Sequence, residues 1–134
     1  MKCIEVVAGI IRDEYGRILI ARRGPHKDQP GYWEFPGGKV EACETCSEAL
    51  VRELKEELNI HTGNFSYYNS GFHATEQHQI TLHCFEGELI QGEPCGDEHD
   101  AIAWVHVHDM SSYEYSPADR PVVRQLIRDH GIYQ

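Results

Sequence analysis

Long apolar runs are missing from this chain: no stretch of about 18 apolar residues occurs, which excludes a bilayer-spanning helix by sequence. Met1 to Arg12 carries charges at Lys2, Glu5 and Arg12 and lacks the basic-then-apolar order of a secretory leader, so a cytoplasmic location without membrane attachment is expected. Basic excess is missing too. Twelve Lys and Arg stand against 22 Asp and Glu, a net charge of −10, and a protein that grips a long nucleic acid needs a basic face instead. A nucleotide substrate remains open, because acidic residues can recruit a metal that neutralises phosphate. The five cysteines are odd in number and thinly spread, so no disulfide framework is expected. Cys43 and Cys46 form a C-x-x-C pair, but no second pair exists to complete a zinc site. Nine histidines include no H-E-x-x-H, and His106 and His108 read as surface residues at a strand end. Repeats and low-complexity tracts are also absent. At 134 residues and 40% hydrophobic content, a single globular domain over 1–134 is expected.

What the chain does contain is concentrated at 38–60. A glycine turn runs into a helix carrying Arg52, Glu53, Glu56 and Glu57. Glu53, Glu56 and Glu57 share a helical face at i, i+3, i+4, where like charges repel. Either this is a solvated acidic stripe, or something positive sits among the carboxylates. A cluster of oxygen ligands suits a hard divalent cation such as Mg²⁺, which is held by a few carboxylates together with waters and substrate phosphates.

Hydrophobic periodicity sets the elements around it. Ile4 to Ile11 and Ile18 to Ala21, joined by the turn at Asp13 to Gly16, read as a hairpin. Gly24 to Gly31 is a polar loop, and Tyr32 to Phe35 is a short strand before the Pro36-Gly37-Gly38 break. Thr45 and Glu48 form a capping box, and Cys46, Leu50, Leu54 and Leu58 supply the helix's apolar stripe. Strands are expected at Phe65 to Phe72, His78 to Phe85 and Ala101 to Val107. A second helix begins near Asp119 and Pro121 with Val122, Val123, Leu126 and Ile127 facing the core. Strands flanked by two helices imply an α+β layered domain with a mixed sheet.

The 38–60 segment resembles the Nudix box, Gly-x5-Glu-x7-Arg-Glu-U-x-Glu-Glu-x-Gly-U with U aliphatic. Gly38, Glu44, Arg52, Glu53, Leu54, Glu56, Glu57 and Ile60 fall in register. Asn59 stands where the pattern has glycine, a mild departure because asparagine also tolerates a left-handed helix end. Trp33 to Lys39, Gly92-Glu93-Pro94 and Ser116 to Pro121 extend the likeness to the MutT-type members. The resemblance implies a Nudix α/β/α sandwich with a mixed central sheet and two main helices. It also implies Mg²⁺-dependent, or Mn²⁺-dependent, hydrolysis of a nucleoside triphosphate to a monophosphate and pyrophosphate. Two substrate readings stay open, oxidised purines such as 8-oxo-dGTP and CTP or 5-substituted dCTP, with the protein a monomer or homodimer. A Nudix-fold module that binds a nucleotide or protein without cutting it is the alternative, although such a module would be expected to lose box carboxylates.

By the same resemblance Glu53, Glu56, Glu57 and the Gly37 carbonyl hold the metal, and Arg52 orients a glutamate. A surface arginine pairing with Glu48 or Glu56 is the competing reading of Arg52. Glu44 is expected to favour the positive end of the helix dipole. Glu98 is read as a further metal-binding or base carboxylate, against ordinary solvation. Arg23 contacts phosphate or sugar, or is a strand-end charge. Phe35, Ile80 and Asp119 surround the base. Phe35 also reads as core, and Asp119 as an N-cap. An ionised aspartate only accepts hydrogen bonds, which favours a base with an exocyclic amine.

Overall fold

The computed structural model describes residues 2–131. In chain order it contains β1 (Lys2–Arg12), β2 (Ile18–Arg23), β3 (Trp33–Glu34), β4 (Gly37–Lys39), α1 (Cys46–Leu58), β5 (His61–Ala74), β6 (His78–Gln91), β7 (His99–Val105) and α2 (Arg120–Leu126). A 3₁₀ turn covers Val107–Ser112, and α2 runs on into a π turn at Ile127–Gly131. The strands form one mixed sheet in the order β3-β2-β1-β6-β5, with β4 paired to β1 and β7 to β2.

Strand β1 explains the layering. Its apolar run is buried on both faces, the pattern of a central strand covered on two sides. Successive side chains point to opposite faces. Ala8 and Ile10 join Ile18, Ile20, Leu82, Val122 and Leu126 on the α2 side. Val7 packs with Leu50, and Ile11 with Leu19, Leu54 and Leu58, on the α1 side. The result is the mixed sheet between two helices expected from the sequence.

The expected β1–β2 hairpin exists only at its closed end, where Arg12 pairs with Ile18. Beyond that, β1 runs parallel to β6 from Lys2↔His78 to Arg12↔Glu88, and β2 turns to β3 and β7. Asp13 holds the turn by accepting from the N–H groups of Tyr15 and Arg17 at 2.9 Å each. Periodicity identified both strands, but it carries no information about which neighbour each takes.

Both ends of α1 follow local chemistry. Thr45 Oγ1 accepts from the Glu48 N–H at 3.1 Å, and the Glu48 carboxylate accepts from the Thr45 N–H at 2.8 Å, a reciprocal capping box. At the other end Asn59 adopts the left-handed conformation, φ 57°, ψ 38°, and its N–H donates to the Leu54 and Lys55 carbonyls. Leu50, Leu54 and Leu58 are fully buried beneath the helix. The opposite side is free to carry charge. No described helix is long and apolar enough to cross a membrane.

Candidate active site

Four carboxylates of the helix and its leading turn converge on one cation from the chain itself. Arg52 donates from Nε to Glu44 at 2.6 Å, from Nη2 to the same carboxylate at 3.0 Å, and from Nη1 to Glu53 at 2.9 Å. Its Nη1 also lies 3.4 Å from Glu56 and 3.1 Å from Glu41, and Nη2 donates to the Lys39 carbonyl at 3.1 Å. Arg52 thereby ties β4, the turn before α1 and the second turn of α1 together. Glu48 is committed to the cap, so that competing partner of Arg52 is absent. Glu44 acts through this fork and through the Glu41 N–H it accepts at 2.9 Å, rather than through the helix dipole alone. Hydrogen bonds from Arg52 and from the Glu41 N–H hold the Glu44 carboxyl below its ordinary range.

Glu57 has no such relief. Burial raises its pKa first; Glu53, which shares a hydrogen bond with it, and the Glu98 and Glu34 carboxylates raise it further. Beneath this pair runs β4, fitted against β1 at Val6↔Lys39, Val7↔Gly38 and Ala8↔Gly37. The fit demands both glycines. A Cβ on Gly37 would lie 2.0 Å from the Val7 carbonyl oxygen, and one on Gly38 would lie 2.5 Å from the Glu53 carboxyl carbon.

Glu57, Gly37, Gly38 and Glu98 line a 170 Å³ cavity, together with Lys27, Arg23, Glu34 and His99. Glu98, on the loop before β7, pairs with Lys27 Nζ at 2.6 Å, and both side chains are half exposed. Of the expected metal-binding carboxylates, Glu57 and Glu98 thus face one cavity and Glu53 stands behind Glu57. Glu56 lies outside with a 60% exposed side chain. Among the described residues no three His, Cys, Asp or Glu side chains already converge at ligating distance. The expected ligand set is therefore near at hand but not assembled, because Arg52 occupies the centre of one part and Lys27 holds the other. The donor chemistry still fits a hard divalent cation: a half-buried carboxylate hydrogen-bonded to a second one and repelled by two more is the arrangement such an ion relieves.

A second cavity of 430 Å³ adjoins the first and shares Val6, Leu82, Arg23 and Glu34 with it. Ile4, Val6, Ile80 and Leu82 give it an apolar wall, and the parallel register Ile4↔Ile80 and Val6↔Leu82 sets these side by side. Asp119 lines it from the start of α2, only 4% exposed. Asp119 makes no side-chain cap to its helix; its Oδ1 instead accepts from the Phe35 N–H at 3.0 Å. Burial, followed by the Glu34 charge, pushes the Asp119 pKa well above the ordinary range, while the Phe35 N–H and Arg23 oppose the shift. That direction favours the protonated form, which donates as well as accepts, whereas the sequence reading took the carboxyl as an ionised acceptor; toward the Phe35 N–H it accepts. Phe35 itself is core, 3% exposed with its ring stacked on Tyr115 at 6.5 Å, and it lines the smaller cavity rather than the larger. Its backbone, not its ring, serves the larger one.

Between the cavities sits a network the sequence reading missed. Glu34 Oε1 accepts from Arg23 Nη1 at 2.7 Å, and Oε2 lies 2.9 Å from His99 Nε2. These bonds and charges outweigh burial and keep the Glu34 pKa below its ordinary value, so it stays ionised. Arg23 also donates to the Asp28 carbonyl, which fixes it to the loop after β2 rather than leaving it a free strand-end charge. A charged residue inside the short strand Trp33–Glu34 was the available signal for Glu34. Nothing local marks Lys27, on the loop after β2, or His99, at the start of β7, which is distant in sequence.

A family model described as the NUDIX domain matches residues 4–126. The CTP pyrophosphohydrolase of Escherichia coli strain K12 is 42% identical over 127 residues, covering 95% of this chain and 93% of that protein. The 8-oxo-dGTP diphosphatase of the same strain is 36% identical over 128 residues, covering 96% and 99%. The solution structure of the E. coli ORF135 protein superimposes with a TM-score of 0.77 at 37% identity, covering 100% of this chain and 96% of that one. With the box in register, its Glu57 lining a cavity beside Gly37 and Gly38, and these likenesses over nearly the whole chain, this protein belongs to the Nudix family.

Proposed function

We propose that this protein is a Mg²⁺-dependent nucleoside triphosphate pyrophosphohydrolase that converts modified or oxidised nucleotides to a monophosphate and pyrophosphate. It acts in the cytoplasm as a monomer or homodimer, in the manner of MutT-type housecleaning enzymes. The carrying observation is the pair of joined cavities, one apolar with a buried carboxyl, the other lined by carboxylates and bases. A nucleotide has those two chemistries joined in that way. Its base fits against Ile80 and Asp119, its phosphates extend past Arg23, and Glu57 and Glu98 stand at the phosphate end.

Glu53, Glu57 and Glu98 would hold the divalent ion, with the Gly37 carbonyl and, after turning in from its exposed position, Glu56. Mn²⁺ suits the same oxygen donors. When bound, the ion supplies charge neutralisation of phosphate oxygens and a lowered pKa for water. The chain's own residues do the rest. Arg52 holds Glu53 and fixes the turn carrying Glu44, Glu34 locks Arg23 toward the phosphates, and Asp119 offers the base a hydrogen-bonding partner. Without a cation, carboxylates and phosphate would repel by roughly 1 to 4 kcal/mol per close charge pair, so nucleotide and ion bind together.

The relatives named above carry two different substrates in their names. Pyrophosphate release from CTP, 5-substituted dCTP, dGTP and 8-oxo-dGTP, with Mg²⁺ and with EDTA, tests the reaction and ranks the bases. Pyrophosphate production that is equal in EDTA, or absent for every triphosphate, would overturn the reading.

A further inference from the structure

Two permanent cations line the smaller cavity, and they differ in how firmly they are held. Arg23 is fixed by Glu34 and by the Asp28 carbonyl. Lys27 has one partner, Glu98, at 2.6 Å, in a pair whose side chains are 46% and 47% exposed. The backbone under Lys27 is secured: its N–H donates to Gly24 at 3.1 Å, Arg23 N–H donates to Tyr32 at 2.8 Å, and Gly31 N–H donates to Arg23 at 3.0 Å. Its ammonium also feels the charge of Glu57 on α1, which lines the same cavity.

We propose that Lys27 is a phosphate-binding residue of this site, which occupies the place of a cation on Glu98 while the site is empty and transfers to the phosphate oxygens when a divalent ion takes Glu98. This rests on the pyrophosphohydrolase reading above. A triphosphate tail carries more negative charge than one divalent ion cancels, and Arg23 is already neutralised by Glu34. Lys27 is the mobile positive charge within reach. An exposed ion pair is only weakly held against solvent, so it is readily exchanged. A lysine is suited to the move, with a point charge on a flexible stem and three donors that need no fixed orientation.

Two binding titrations test this without turnover. Free Mn²⁺ followed by its paramagnetic resonance signal, with no nucleotide present, should bind Lys27→Met roughly 2- to 5-fold more tightly than wild type, because the competing cation is gone. In a Glu98→Gln background the same substitution should have a smaller effect, since the pair is already broken and only the charge near Glu57 is removed. Inorganic pyrophosphate titrated in saturating Mg²⁺ should bind Lys27→Met roughly 5- to 30-fold more weakly, with Lys27→Arg recovering most of the loss. Unchanged Mn²⁺ and pyrophosphate affinities in Lys27→Met, in a protein whose wild type releases pyrophosphate from a triphosphate, would overturn the proposal and leave the functional reading standing. A wild type that releases none from any triphosphate would overturn the functional reading instead.

Discussion

Glu57 and Asp119 both line a cavity, Glu57 half-buried and Asp119 buried, and desolvation is the first cause of the raised pKa in each. Their neighbours separate them. Around Glu57 stand Glu53, Glu98 and Glu34, and no basic group lies within ion-pairing distance among the described residues. Around Asp119 stand apolar side chains and the Phe35 N–H, with Glu34 raising its pKa and Arg23 lowering it. The same desolvation therefore leads to two chemistries. A carboxyl crowded by carboxylates is stabilised by a cation, whereas one desolvated beside an apolar wall is pushed toward keeping its proton, which suits the proposed role of hydrogen-bonding a base.

The largest expected effect breaks the first member of that pair. Glu57→Gln removes the charge and nearly keeps the shape, and kcat should fall at least ~10²-fold, about 2.7 kcal/mol of barrier. Stability should move the other way. The folded-state pKa of Glu57 is raised, so its contribution is full below the ordinary glutamate range and is lost as pH rises toward the folded value. Metal-free Glu57→Gln should then melt no lower than wild type at pH 8. A variant that melts lower yet keeps its kcat would show that Glu57 is structural.

Asp119→Asn sharpens the second member. The amide still accepts from the Phe35 N–H but always presents a donor, and it cannot ionise. A hydrogen-bond partner lost or gained inside a dry cavity is worth about 1 to 3 kcal/mol, so the ratio of kcat/KM for 5-substituted dCTP to that for 8-oxo-dGTP should change roughly 5- to 150-fold. An unchanged ratio would remove Asp119 from base recognition. Melting temperature against pH gives an independent check. Asp119 is raised in the folded state, so wild type loses this residue's contribution as pH climbs above its ordinary range of about 4, whereas Asp119→Asn does not. The melting temperature of the variant relative to wild type should rise between pH 4 and pH 8. A flat difference would mean that Asp119 carries no shifted proton.

Much of the carboxylate site was legible in the chain because its parts are local. Helical spacing, the capping box and the glycine pair are all written within 37–60, where α1 keeps the first two and β4 the third. The base cavity was legible only in pieces. Ile80 and Asp119 were expected there by resemblance, but their meeting depends on the parallel β1–β6 register and on Asp119 reaching across to the Phe35 N–H. Spacing cannot show that an aspartate at a helix start turns its carboxyl away from its own helix. Nor can it show that Glu34 joins Arg23 to His99, residues contributed by β2, β3 and β7. The charge spacing left a solvated stripe and a positive partner both open among Glu53, Glu56 and Glu57, and it did not reveal that Arg52 is that partner for Glu53 and Glu56 while Glu57 shares a hydrogen bond with Glu53.

The smallest expected effect concerns the end of the helix that carries Glu57. Asn59 occupies the position where the family pattern has glycine, and its φ of 57° is the left-handed value that glycine adopts without steric cost. Asn59→Gly therefore relieves strain in the folded state. It also frees the unfolded chain, at a cost of about 0.4 to 1 kcal/mol, and it deletes the exposed Lys55 Nζ to Asn59 Oδ1 hydrogen bond of 2.8 Å. The opposing contributions are similar in size, so stability should change by less than about 1 kcal/mol. The backbone around Glu57 is fixed by other means. A Cβ on Gly92 would meet the Asn59 carbonyl oxygen at 2.9 Å, and one on Gly96 would meet the Glu57 carbonyl oxygen at 2.0 Å, so two neighbouring segments press on this turn whatever residue stands at 59. Turnover by Asn59→Gly should accordingly match wild type within about twofold. A larger loss would mean that the asparagine side chain, rather than the left-handed backbone, holds the end of α1 and with it the placement of Glu57.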